Sequence, residues 1–221
     1  MAVHEPFQLP ICPIDPERYD RLYAFNGGSD DFLDYDAPWQ QIRIKPGLSE
    51  ESVYRLLPGA RNFEYGGYLT KSRIRFLECD FNSARMPMSK ACTFHSHRSD
   101  SETADLPSAA DIFQFLNFRH LRAITVGSKR LWVWDKSAAT LSVVKKLGAW
   151  ADQNMVAEVN RLMKTHPHTW QDPYVKLALK NLGFPWPKRL EEWEANWEKM
   201  LRTILKIKVR VFPREDGAGS G

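Results

Sequence analysis

Short apolar segments bounded by polar turns dominate the middle of the chain, between residues 64 and 136. Pairs of such segments around a short polar turn are typical of β-hairpins. Near the end of the chain, charged residues alternate with Ile and Val, which is the pattern of a strand with one solvent-exposed face. The predicted strands are Gln41–Lys45, Tyr68–Leu69, Ile74–Leu77, Lys90–His97, Arg122–Val126, Leu131–Trp134 and Lys206–Arg214.

Helical spacing marks the other ordered segments. Ser49, followed by two glutamates, is a typical helix start, and Pro58-Gly59 is a typical stop. Residues 108–119 carry apolar side chains at helical spacing, and the pattern is helical again after about residue 145, with apolar stripes over 155–163 and 190–204. The order helix, strands, helix, strands predicts an α/β or α+β sandwich.

The same patterns divide the chain into three parts. Residues 1–47 form an arm rich in proline and acids, predicted to be irregular apart from its one short strand. Residues 48–145 hold most of the predicted strands and are expected to be the main domain. Residues 146–221 are expected to be a helical C-terminal extension that ends in a flexible Gly-Ala-Gly-Ser-Gly tail.

Composition excludes several classes of function. The net charge of +4 is modest and no basic stripe stands out along the sequence, so nucleic acid is not an expected partner. Three cysteines without paired spacing indicate a reducing compartment rather than a disulfide framework. No apolar run approaches the ~20 residues needed to cross a bilayer, and the start of the chain does not resemble a secretory signal. A cytoplasmic protein with no membrane partner is expected.

The most informative residues are His95 and His97. Side chains two apart on a strand point to the same face, so both imidazoles can reach one metal ion. Asp111 lies in the first turn of the next predicted helix and can supply a third ligand, through oxygen. Three protein ligands with one open position are the pattern of a catalytic zinc site.

A hydrolytic zinc site also needs a general base. Glu64 precedes Gly66 and Gly67, which let a neighbouring strand approach closely, and stands before an apolar strand. A carboxylate at such a strand start suits the role of base. Glu78 and Glu51 are rivals, although Glu78 lacks the glycine turn after it.

Together these residues carry a resemblance to a known family. Glu64-x-x-Gly67-x-Leu69, then His95-Ser96-His97, then Ser108-x-x-Asp111 resembles the JAMM/MPN+ (JAB domain, Mov34/MPN/PAD-1) zinc metalloproteases over roughly residues 48–136. The resemblance implies Zn²⁺ held by His95, His97 and Asp111, with Glu64 as general acid/base and Ser108 as a stabiliser of the oxyanion. It also implies a sandwich of a mixed β-sheet with flanking helices.

The implied activity is hydrolysis of a peptide or isopeptide bond in a protein substrate, at the C-terminal tail of ubiquitin or a ubiquitin-like protein. Two other functions stay open. One is an MPN-type interaction scaffold that has lost catalysis, and the other is an effector or toxin domain that uses the same zinc chemistry on another partner.

Some of the residues have simpler explanations. Ser108 three residues before Asp111 is also an ordinary helix cap, and the interval of thirteen residues between His97 and Asp111 is longer than is usual in the family. Asp100 and Asp105, inside that interval, are alternative metal ligands. The remaining histidines show no partner spacing and are expected to be structural or exposed.

Overall fold

The computed structural model describes residues 5–23, 38–59, 63–79, 87, 90–97, 111, 114–116, 118–150, 201–203 and 205–214. The helices are α1 (Pro16–Tyr23), α2 (Glu50–Tyr54) and α3 (Ala138–Trp150), and positions 111, 114–116 and 201–203 are also helical. The strands are β1 (Gln40–Arg43), β2 (Tyr65–Leu69), β3 (Arg73–Glu78), β4 (Cys92–Ser96), β5 (Arg122–Val126), β6 (Arg130–Asp135) and β7 (Lys208–Pro213).

These seven strands form one mixed sheet in the order β1-β3-β2-β4-β5-β6-β7. Only β4 and β5 pair in parallel, and every other neighbouring pair is antiparallel. The parallel pair needs a crossover connection, and the helical positions 111 and 114–116 lie within it. The two edge strands come from the predicted N-terminal arm and the predicted C-terminal extension. The coarse α/β prediction is therefore confirmed.

The local predictions agree closely with the structure. Both predicted hairpins form, as β2–β3 and as β5–β6. The helix expected after Ser49 is α2, and the Ser49 hydroxyl caps it by accepting a hydrogen bond from the backbone N–H of Ser52 at 3.2 Å. Strands predicted at Gln41–Lys45, Lys90–His97 and Lys206–Arg214 are present as β1, β4 and β7.

Two helices differ from the predictions. α1 lies in the arm that was predicted to be irregular, and α3 begins at Ala138, ahead of residue 145. The signal for α1 was Asp15 followed by Pro16, because Asp15 accepts a hydrogen bond from the N–H of Arg18 at 3.0 Å and proline suits a first helical position. The apolar stripe at 155–163 lies outside the described residues, and that at 190–204 does so except at residues 201–203.

Both faces of the sheet carry core residues. One, which we call the histidine face, carries Thr93, His95, Ala123, Thr125, Trp132 and Trp134. Its apolar residues pack against side chains from the helical positions and from α3 that include Phe115, Leu116, Leu141, Val144 and Leu201. The opposite face, which we call the Phe94 face, packs against α2 and the segment after it through Val53, Tyr54 and Leu57. Trp132 and Trp134 are core residues.

No helix within the described part of the chain is both long enough and apolar enough to cross a membrane.

Candidate metal centre

Strand β4 positions the two histidines. His95 is on the strand and His97 follows its last residue, while Ser96 between them points to the opposite face. The Ser96 hydroxyl accepts a hydrogen bond from the backbone N–H of Tyr65 at 2.8 Å, and the His97 N–H donates to the carbonyl of Val126 at 3.0 Å. Both neighbouring strands therefore hold the backbone that presents the two imidazoles.

Asp111 meets both imidazoles despite the long interval before it. The Nε2 atoms of His95 and His97 are 3.0 Å apart, and each lies 3.1 Å from one carboxylate oxygen of Asp111. All three side chains are mostly buried, with exposed fractions of 4% for His95, 14% for His97 and 12% for Asp111. The three residues predicted as ligands thus converge on one point.

Hydrogen bonding alone does not account for this triangle of short contacts. With Asp111 ionised, no placement of protons on the two Nε2 atoms gives a hydrogen bond along every side. Two protonated nitrogens repel each other, and an unprotonated nitrogen repels the carboxylate. A divalent cation held between the three side chains would balance all of these repulsions.

The distances also suit such a cation. Tetrahedral zinc with bonds of about 2.0–2.1 Å needs ligand atoms roughly 3.4 Å apart, close to the observed 3.0–3.1 Å between the atoms of His95, His97 and Asp111. Two imidazoles and a carboxylate suit zinc, but they also form the ligand set of non-haem Fe(II) enzymes. The geometry fits a metal ion without selecting the metal.

Charge at the centre favours an ionised aspartate. Burial by itself raises the pKa of Asp111, but positive charge on His95 and His97 and the hydrogen bonds from them hold it well below its ordinary value. Metal binding needs this carboxylate form together with neutral imidazoles on His95 and His97.

Glu64 directly precedes strand β2, which pairs with β4. Gly66 is opposite His95 in this antiparallel pair, and extending the register two residues beyond that last pair predicts Glu64 opposite His97. Directly opposite residues point to the same face, which places the Glu64 side chain on the histidine face. Glu64 is half-buried, and its carbonyl accepts a hydrogen bond from the N–H of Cys79 at 2.8 Å.

The rival carboxylates lie elsewhere. Glu78 is opposite Tyr65, so it is on the Phe94 face, and it is exposed. Glu51 forms an ion pair of 2.8 Å with Arg55 on α2. Asp100, Asp105 and Ser108 lie outside the described residues, so the proposed oxyanion role of Ser108 stays a prediction.

A row of buried polar atoms extends from the centre across neighbouring strands, and it was not predicted from the sequence. His95, Thr125 and Trp132 are side-by-side neighbours on β4, β5 and β6. Among the described residues, no hydrogen-bond partner is found for His95 Nδ1, Thr125 Oγ1 or Trp132 Nε1. Histidines that bind a metal usually donate their second N–H to a nearby acceptor. Thr125 is the hydroxyl that strand register sets beside His95, which makes it a candidate to orient that imidazole.

A second polar cluster lies at the other end of β5, around Arg122. Its guanidinium donates to Asp135 and to Glu50, and Arg210 also bonds both carboxylates. A cavity of about 630 Å³ opens beside this cluster and is lined partly by the N-terminal arm, including Leu9. Both arginines are already paired with carboxylates, so the cluster offers no free charge to a ligand. It is a structural network.

Comparisons with protein-family models, with curated proteins and with solved structures found no match for this chain.

Proposed function

We propose that this chain is a zinc-dependent hydrolase of peptide or isopeptide bonds. The observation that supports this most strongly is the triangle of His95, His97 and Asp111, with 3.0–3.1 Å between ligand atoms and with Glu64 beside it in strand register. This is the arrangement that the resemblance to JAMM/MPN+ metalloproteases requires. Zinc is preferred to iron because a neighbouring carboxylate base is the usual companion of a hydrolytic zinc site.

In this proposal, His95, His97 and Asp111 hold the ion. Bound zinc supplies Lewis-acid chemistry, by polarising a carbonyl and by lowering the pKa of a water molecule from 15.7 to about 7. Glu64 takes a proton from the attacking water and delivers it to the leaving nitrogen. The carbon–oxygen bond forms, the carbon–nitrogen bond breaks, and a carboxylate and an amine are released. Ser108 is assigned to the oxyanion by the resemblance.

The proposed substrate is a protein with a ubiquitin-like C-terminal tail, joined through a peptide or isopeptide bond. This assignment comes from the family resemblance, and nothing in the site geometry narrows it further. Small fluorogenic fusions of ubiquitin-like proteins are therefore suitable first substrates.

Metal analysis of the purified chain tests whether it binds zinc, which the proposed function requires. We expect roughly one zinc per chain in the wild type and almost none in His97→Ala, because removal of one of three protein ligands leaves the site incomplete. Iron in place of zinc, or no metal in the wild type, would refute the assignment. Circular dichroism of His97→Ala confirms that the variant is folded.

Activity measurements test whether Glu64 is the general base. We expect Glu64→Gln to keep its zinc and to lose hydrolysis by about 10²–10⁴-fold, which is the usual contribution of general acid–base catalysis. Glu78→Gln is the matched control, because it removes an equivalent charge from the opposite face of the sheet. Zinc binding without hydrolysis of any ubiquitin-like fusion would favour the interaction scaffold.

A further inference from the structure

Strand pairing brings positively charged side chains and aromatic rings together on the part of the histidine face formed by β1, β3 and β2. Arg43 is opposite Arg73 on β1 and β3, and Arg75 is opposite Tyr68 on β3 and β2. Trp39 lies just before β1, and Lys90 just before β4. The cation–aromatic surface is made of Trp39, Arg43, Tyr68, Arg73, Arg75 and Lys90.

Arg75 is the centre of this surface. Its guanidinium carbon lies 5.6 Å from the ring centre of Trp39 and 6.0 Å from that of Tyr68, and it donates to the Tyr68 hydroxyl at 3.2 Å. Its Nε is buried and has no hydrogen-bond partner among the described residues. A buried N–H of a charged group without an acceptor is costly, so the position of Arg75 is not explained by its hydrogen bonds within the described part of the chain.

The other cations of this surface have no carboxylate partner in the described part of the chain. The Arg73 side chain donates to the neutral amide of Gln41 at 3.3 Å, and the Lys90 ammonium lies 5.2 Å from the centre of the Tyr68 ring. Within the described part of the chain, no carboxylate pairs with Arg43, Arg73, Arg75 or Lys90. Arginines directly opposite each other destabilise a strand pair, so this arrangement is a cost to the fold unless an anion binds there.

The surface leads to the candidate metal centre. Tyr68 is opposite Thr93, and the next residue of β4 on the same face is His95. Diagonal neighbours of this kind are about 7–8 Å apart. A substrate polypeptide bound at His95 and His97 and running towards β1 would therefore cross Tyr68 and then Arg75 within a few residues.

We propose that the cation–aromatic surface binds an acidic stretch of the polypeptide substrate beside the bond to be cleaved. The inference rests on the proposed hydrolysis of a polypeptide, and it adds the charge of the segment that is recognised. Carboxylates match the exposed guanidinium groups of Arg43 and Arg73, which have no carboxylate partner among the described residues. Nucleic acid is less suited, because bases need free aromatic faces, and the rings of Trp39 and Tyr68 are already engaged with each other and with cations.

The test is a binding measurement that does not depend on hydrolysis. Fluorescence anisotropy follows a short labelled glutamate-rich peptide bound to the full chain carrying Glu64→Gln. The chain has aspartates of its own at 30, 31, 34 and 36, so the titration is repeated with these four changed to asparagine, which prevents competition from within the chain. We expect saturable binding that weakens as salt is added.

The variants locate the binding site. We expect Arg43→Gln/Arg73→Gln, and separately Arg75→Gln, to weaken peptide binding about tenfold or more, because each removes charge-assisted hydrogen bonds. Arg43 and Arg73 are exposed, so their double variant is expected to fold even if Arg75→Gln does not. The matched control Lys129→Gln/Lys208→Gln removes equal charge at the β6–β7 side of the sheet and is expected to bind like the parent.

Either of two results would overturn the inference. The first is equal peptide affinity in the parent, the arginine variants and the control. The second is tighter, Arg75-dependent binding of a single-stranded oligothymidylate than of the peptide, which would make the surface a nucleic-acid site. Repeating the titration after a chelator separates the two proposals, because peptide binding is expected to survive loss of the metal even if the chain proves not to be a zinc hydrolase.

Discussion

At the scale of single residues, Asp111 determines whether the two histidines form a metal centre. Its carboxylate reaches both Nε2 atoms at 3.1 Å, which brings a negative charge to a point where two nitrogens already face each other. The side chain is mostly buried and is held in the ionised form by its neighbours. Without that charge, one Nε2–H donating to the other Nε2 would be enough to explain their 3.0 Å contact.

Asp111→Asn tests this role with almost no change in shape. We expect zinc affinity to fall by more than the roughly 10–100-fold typical of residues that only orient a ligand, because the variant loses a charged ligand. Competition with a chelating dye measures the affinity. Thermal unfolding with zinc added provides a second readout, since zinc at about 100 times its dissociation constant adds about 2.7 kcal/mol to the wild type. An unchanged affinity would mean that Asp111 is not a ligand.

At the scale of elements, the close packing of β2, β3 and β4 keeps the centre in register. A β carbon built on Gly67 would lie 2.1 Å from the carbonyl oxygen of Arg75, 2.8 Å from the Cα of Phe76 and 2.8 Å from the ring of Phe94. Two of these three contacts are with backbone, which cannot move aside. Glycine at this position therefore lets β2 lie close against the backbone of β3 and against the Phe94 ring of β4.

Gly67→Ala is expected to destabilise the fold by about 3 kcal/mol or more, since it forces overpacking against the backbone. Gly47→Ala is the comparison, because Gly47 has open space around it but a φ of +82°, and is expected to cost about 1–2 kcal/mol. Urea unfolding measures both. A Gly67→Ala chain as stable as Gly47→Ala would show that the approach of the three strands is looser than described.

At the scale of the whole molecule, one ion-pair network joins parts that are distant in sequence. Glu50 on α2 bonds Arg122 on β5 and Arg210 on β7, and Asp135 on β6 bonds the same two arginines. Burial raises the pKa of Glu50, but hydrogen bonds from Arg210 and Tyr54 and the charge of Arg122 outweigh it and leave the pKa below its ordinary value of 4.5.

Glu50→Gln is expected to lower the free energy of unfolding by about 1–3 kcal/mol at neutral pH. A lowered pKa in the folded state means that the stabilisation is complete above pH 4.5 and is lost as pH falls through the folded value. The difference between the wild type and Glu50→Gln should therefore shrink in acid. Denaturant titrations at several pH values measure it.

The control for this prediction is the neighbouring residue. Among the described residues, Glu51 has one ion pair, with Arg55 at the surface, so Glu51→Gln is expected to change stability by less than about 1 kcal/mol. Equal losses for Glu50→Gln and Glu51→Gln, or a Glu50 effect that does not change with pH, would contradict a role of Glu50 in joining α2 to the sheet.

Helices and strands that depend on short-range sequence patterns can be predicted from the sequence alone. The hairpins β2–β3 and β5–β6 follow from apolar segments around polar turns, and α2 follows from its Ser49 cap, because these signals act between residues close in the chain. Strand alternation, which is also a local property, predicted that His95 and His97 lie on the same face of β4. The helix α1 was not predicted, because its cap at Asp15 lies in a proline-rich segment.

Which distant residues meet depends on the tertiary structure. Pairing of β2 with β4 sets the strand that follows Glu64 beside His95, the crossover from β4 to β5 brings in Asp111, and pairing of β1 with β3 gathers the arginines that the sequence shows as scattered. Strand order and register depend on how two sheet faces are buried at once, which is a property of the whole chain. Local periodicity therefore predicts the strands, but it does not predict what their side chains will face.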